Sequence, residues 1–92
     1  MLKDNETFEL KYPREIEGRR YERLTLRRPL VEDFLIKEEM TGSEFKKDLH
    51  FFANIAGVTP GVIQKLDYVD HQRLTARIAT VFQEAQEAQE AA

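Results

Sequence analysis

Cysteine is absent from this 92-residue chain, which excludes disulfides and thiolate metal ligands and leaves stability to packing or to a partner. Such a composition suits a reducing cytoplasm. Long hydrophobic runs are missing too, and no window approaches the roughly 20 apolar residues that a membrane span needs. The opening Met1-Leu2-Lys3-Asp4-Asn5-Glu6 is charged from its third residue. No secretory signal is expected, and the protein is read as soluble and intracellular where it is made. Glycine is scarce and scattered, at Gly18, Gly42, Gly57 and Gly61, so no glycine-rich phosphate loop can be drawn. Ser43, the single serine, falls at a predicted helix start, where its role is structural rather than nucleophilic. Neither His50 nor His71 has a His or Cys at i+3 or i+4, which leaves no ligand pair on one helix face. His50 with Asp48, or His71 with Asp67 and Asp70, could be drawn as a metal or catalytic group. The commoner meaning of Asp67 and Asp70 is a helix N-terminus, where carboxylates accept backbone amides. No enzyme, metal or cofactor is therefore expected.

What is present is the balance of a globular chain, 41% apolar and 34% charged, at a length that suits one domain. The net charge of −3 is unevenly placed. Residues 1–29 hold eight Lys/Arg against six Asp/Glu, and residues 30–92 hold six against eleven. An acidic helical body argues against broad phosphate binding, so no nucleic acid and no membrane are expected as partners.

Phe8, Leu10 and Tyr12 alternate with Glu9 and Lys11, and Leu24 and Leu26 alternate with Arg23, Thr25 and Arg27. This is the period-two signature of half-buried strands. A hairpin centred on Gly18 sets Leu10 opposite Leu26 and Tyr12 opposite Leu24, with Gly18 supplying the positive φ of a short loop. Pro13 lacks an amide donor, so its strand is an edge or breaks there. Pro29 ends the second strand, and a first helix is predicted from about Leu30 to Met40. Thr41-Gly42-Ser43-Glu44 starts the next near Gly42 or Ser43. Its Phe45, Leu49, Phe52, Ala53 and Ala56 form a core stripe, and Gly57 sits where a left-handed residue closes it. Thr59-Pro60 opens a third helix through Leu66. Asp67 caps a fourth, with Leu74, Ile78, Val81 and Phe82 as its stripe. An isolated hairpin is marginal in water and must lie on the helices. The fold class is α+β, an N-terminal β-hairpin (7–28) followed by three to four short helices (30–82) in one domain, 1–82. Residues 83–92, Gln-Glu-Ala repeats, are read as a flexible or frayed helical tail.

Two surfaces stand out. Arg19, Arg23 and Arg27 share the solvated strand face with Tyr21, either as a solubilising charged face or as a landing site for an acidic or helical partner. Phe51 and Ile55 widen the stripe of the second helix, which is then either deeply buried or partly exposed to a partner.

Leu24-Thr-Leu-Arg-Arg-Pro29, Ile55-Ala-Gly57 followed by Val58-Thr59-Pro60, and Leu66-Asp67 with Asp70 leading into the last helix together resemble the Mu-type phage tail assembly chaperones. One departure is Leu30 after Pro29, where relatives place a Thr or Ser that caps the first helix. The resemblance implies a non-enzymatic chaperone that binds the long, helical, aggregation-prone tape measure protein until tail tube proteins polymerise around it. It also implies action in the host bacterial cytoplasm, absence from the mature virion and, in many such phages, a longer product made by frameshifting. On this reading Phe51, Phe52 and Ile55 contribute to the tape measure contact, and Arg23 and Arg27 orient it. The open hairpin edge could pair with a partner strand or with a second copy. The alternatives are a small DNA-binding regulatory module that uses the last helices, or a structural minor tail protein.

Overall fold

Glu17 and Gly18 both take positive φ, 53° and 79°, and this two-residue turn folds β1 (Glu6–Ile16) back onto β2 (Arg19–Leu26) as an antiparallel hairpin. The computed structural model describes residues 1–91. Next to the turn the register is Ile16 opposite Arg19 and Arg14 opposite Tyr21. Further out it becomes Glu9 opposite Arg23, Phe8 opposite Leu24 and Glu6 opposite Leu26. The expected pairs of Leu10 with Leu26 and Tyr12 with Leu24 are therefore wrong, because β1 bulges between Glu9 and Arg14. Pro13 has no amide to give the ladder, and the amides of Lys11 and Tyr12 donate instead to the two oxygens of Asp70, at 2.8 and 2.9 Å. Phe8, Leu10, Leu24 and Leu26 still reach the core, whereas Tyr12 is left exposed.

Among the described residues four helices follow: α1 (Val31–Glu39), α2 (Glu44–Ala56), α3 (Pro60–Gln64) and α4 (Tyr68–Ala91). Leu30 has no hydroxyl with which to cap α1, and the Asp33 carboxylate takes over by accepting the Leu30 N–H at 2.7 Å. Ser43 Oγ accepts the Lys46 N–H at 3.2 Å to start α2, and Gly57 at φ 64° closes it, as expected. Pro60 occupies the first turn of α3, which ends before the predicted Leu66. The Asp67 carboxylate accepts the Val69 N–H at 2.9 Å at the head of α4, and that helix continues through the Gln-Glu-Ala repeats to Ala91.

The core lies around α2. Phe51, Phe52 and Ile55 pack in one cluster with Leu26 of the hairpin, Ile63 of α3 and Ile78 of α4. Each such burial contributes about 1.5–3 kcal/mol. Phe45 departs from expectation: it is 56% exposed, and the buried stripe begins one turn later at Leu49. Its ring lies against His71, with 5.2 Å between centroids, rather than in the core. The start of the chain is clasped to α4. Leu2 is fully buried, its N–H donates to Glu84 at 3.2 Å, and Arg28 bridges the Leu2 carbonyl and Glu84. Arg77 pairs with Glu6 and donates to the Met1 carbonyl. No helix among the described residues is long and apolar enough to cross a membrane.

Candidate functional site

Helix α1 turns two of its five charged residues, Asp33 and Lys37, inward. Asp33, 3% exposed, accepts two bonds from Arg27 at 2.7 and 2.8 Å. That bidentate pair holds the Asp33 carboxyl below the ordinary carboxylate range, outweighing burial, with the Leu30 amide adding to it. One turn on, Lys37 Nζ lies 2.8 Å from Asp48 of α2, which raises the lysine's pKa. Because the charged residues at i and i+4 face the body, the apolar Val31 and Leu35 face solvent, 86% and 58% exposed. They form a one-turn ridge. Glu32, Glu38 and Glu39 stand exposed on the same helix, with no ion-pair partner among the described residues.

The ridge borders an aromatic groove. Phe34 lies 4.9 Å from Phe51 and makes an edge contact with Phe82 at 5.7 Å, and Phe82 is half exposed. Phe51, Phe52, Ile78 and Phe82 line a groove of about 170 Å³ together with the Lys37–Asp48 pair. A second groove, of about 250 Å³, lies between exposed Phe45 and Tyr68 over Leu49, Ile63 and Leu66. Behind Phe45, both ring nitrogens of His71 are buried without a hydrogen-bond partner among the described residues, and burial pushes the imidazole pKa down while Asp48 opposes it.

The five residues singled out from the sequence do not come together as one patch. Phe51 and Phe52 meet as the floor of the first groove but are themselves buried. Ile55 is 1% exposed on the hairpin side of α2, where its carbonyl accepts the Arg27 N–H at 3.1 Å. The extra width of the α2 stripe is thus taken up by burial under α1 and the hairpin. Arg27 is held by Asp33, and Arg23 lies on the outer face beside Glu9 at 3.3 Å. Sequence reasoning missed Val31, Leu35 and the exposure of Phe82. The available signal was the i, i+4 spacing of Asp33 and Lys37 between apolar residues, but their partners Arg27 and Asp48 lie on other elements. Asp33→Asn keeps an acceptor for Leu30 and loses the charge pairing. It is expected to cost about 1 kcal/mol and to speed hydrogen exchange in α1 ahead of the rest of the molecule. Uniform loss of protection would instead place Asp33 in the global core.

A family model described as phage tail assembly chaperone proteins, E, or 41 or 14, matches residues 7–83. No curated protein and no solved structure matches the chain.

Proposed function

Since the chain belongs to the phage tail assembly chaperone family, non-enzymatic proteins that bind the tape measure protein during tail assembly in the host cytoplasm, we propose that it grips its client through the α1 ridge and the adjoining aromatic groove. The exposed Val31–Leu35 ridge carries this reading. It offers an apolar seat for the apolar face of a client helix, continued by Phe34 and Phe82 with Phe51 and Phe52 beneath. Glu32, Glu38 and Glu39 favour client segments whose apolar face is flanked by Lys or Arg, and their unpaired charge keeps the complex soluble. Ile55 and Arg27 act from within, Ile55 as core and Arg27 by fixing α1 through Asp33. Tail tube proteins then displace the chaperone from the client, and it is absent from the mature virion.

The DNA-binding alternative finds the two arginines of its last helix occupied. Arg73 donates to Asp70 and to the Glu9 carbonyl, and Arg77 is engaged by Glu6. Co-expression with the tape measure protein of the same genome tests the proposal, because a client that precipitates alone should be recovered in a soluble complex. Val31→Asp combined with Leu35→Glu leaves both helix positions well served. It is expected to reduce the recovered complex at least about tenfold with an unchanged circular dichroism spectrum. Undiminished recovery would remove the ridge from the contact, and the protein's presence in purified particles would remove the release step.

A further inference from the structure

The outer edge of β2 is open. Among the described residues the sheet has two strands, so one row of β2 backbone groups lies outside the ladder. Among the described residues, the nearest backbone bond on that side is Arg27 N–H to Ile55 O, just past the strand's end. A cleft of about 330 Å³ runs along this edge. Arg19 through Thr25 line it without a gap, so residues of both strand faces contribute, as they do when a strand is seen edge-on. Ala56, Gly57 and Val58 at the end of α2 form the other wall, and a Cβ built on Gly57 would meet nothing within 4 Å. The bulge that disrupts the hairpin sits in β1, so β2 is not twisted away from pairing by a bulge, and its edge is guarded by charge alone.

The charge along this cleft selects its occupant. Arg19, Arg20 and Arg23 line it against Glu22 alone. Arg20–Glu22 and Arg23–Glu9 are exposed pairs at 3.3 Å, the kind that exchanges partners at little cost. Arg19 lies over the Tyr21 ring at 5.5 Å, with no carboxylate partner among the described residues. A second copy fits less well than an acidic strand, because an antiparallel β2–β2 pair centred on Tyr21 offsets its Arg20–Glu22 pairs with Arg19 against Arg23, and an in-register parallel pair sets each arginine against itself. We propose that the β2 edge accepts an extended acidic segment of a protein partner, added as a third strand, with alternate carboxylates meeting Arg19 and Arg23, which share one strand face. This site is separate from the α1 ridge, so either can fail without the other.

The test uses the full chain and a synthetic nine-residue peptide of alternating Glu and Thr, followed by amide NMR and hydrogen exchange. Shifts and added protection are expected at β2 amides. Binding should weaken at least about tenfold in three comparisons: Arg19→Glu with Arg23→Glu, the corresponding Lys–Thr peptide, and the Glu–Thr peptide N-methylated at alternate residues. The two peptide controls keep the test intact if the charge-reversed variant fails to fold. Unchanged β2 amides at millimolar peptide would overturn the proposal. Equal binding of the lysine or N-methylated peptide would do so too, as would a dimer by sedimentation whose β2 amides are already protected from exchange without peptide.

Discussion

Replacing Asp70 with alanine is expected to remove about 2–4 kcal/mol of stability, a fall of roughly 8 °C or more in the thermal midpoint of a domain this size. The Asp70 side chain is fully buried and serves three donors: Lys11 N–H at 2.8 Å, Tyr12 N–H at 2.9 Å and Arg73 at 2.6 Å. Alanine leaves two bulge amides without an acceptor and a cation without its partner. It also frees Arg73, which holds the Glu9 carbonyl at 3.1 Å and lies 5.0 Å over the Phe8 ring. A domain of this kind is stable by only about 5–15 kcal/mol in total, so the loss is a large share. Asp70→Asn retains one acceptor and should fall between the two. Urea and thermal unfolding followed by circular dichroism would measure it, and a midpoint shift below about 4 °C would mean that water serves the bulge amides.

The same carboxyl gives acid sensitivity. Burial pushes its pKa up, but the Lys11 and Tyr12 amides and Arg73 together outweigh this, and the net shift is downward from 3.8. A depressed folded pKa means stability that is present above the unfolded value and lost as pH falls through the folded one. Glu6, held low mainly by Arg77, and Asp33, held low mainly by Arg27, act in the same direction. Unfolding is thus expected below about pH 4, and Asp70→Ala should flatten that limb.

His71→Leu is expected to stabilise the protein by about 1–3 kcal/mol. The imidazole is buried beside Phe45 and Phe52, at 5.2 and 5.9 Å between centroids, with neither nitrogen satisfied. Leucine of similar volume removes two unpaired polar atoms at little packing cost. The pH dependence gives an independent readout. Burial lowers the folded pKa of His71 from the ordinary 6.5, with the Asp48 charge opposing. The unfolded chain therefore takes up a proton near pH 6.5 that the folded chain refuses, and stability falls as pH drops from there towards the folded pKa. The leucine variant should lose this slope and keep the carboxylate limb below pH 4. A variant that is less stable, or that retains the slope, would show that the imidazole has a partner.

Local signals in the chain proved dependable where one residue type answers one backbone requirement. Gly18 and Gly57 take the positive φ expected of them, Ser43 and Asp67 cap, and Pro60 opens α3. Readings failed where a distant residue decides. The hairpin register depends on Asp70, some 59 residues from Lys11, and no alternation rule contains that term. The orientation of α1 depends on Arg27 and Asp48 claiming Asp33 and Lys37, so the polar side of a nine-residue helix became its inner side. Phe45 keeps helical phase with Leu49 yet lies a turn beyond the end of the core. Periodicity fixes which residues share a face but says nothing of how far the neighbouring element extends.

The β1 bulge also has a consequence for biosynthesis. A hairpin alone is marginally stable, and the amides of Lys11 and Tyr12 have no acceptor until residue 70 has left the ribosome. Closing so long a loop carries an entropic cost that must be met before the contact rewards it. The hairpin should therefore dock late, after α2 has found α3 and α4. Until then a chain made to shield another protein from aggregation leaves its own strands unshielded, and translational stalling after the hairpin and before Asp70 has emerged would be the interval of greatest risk.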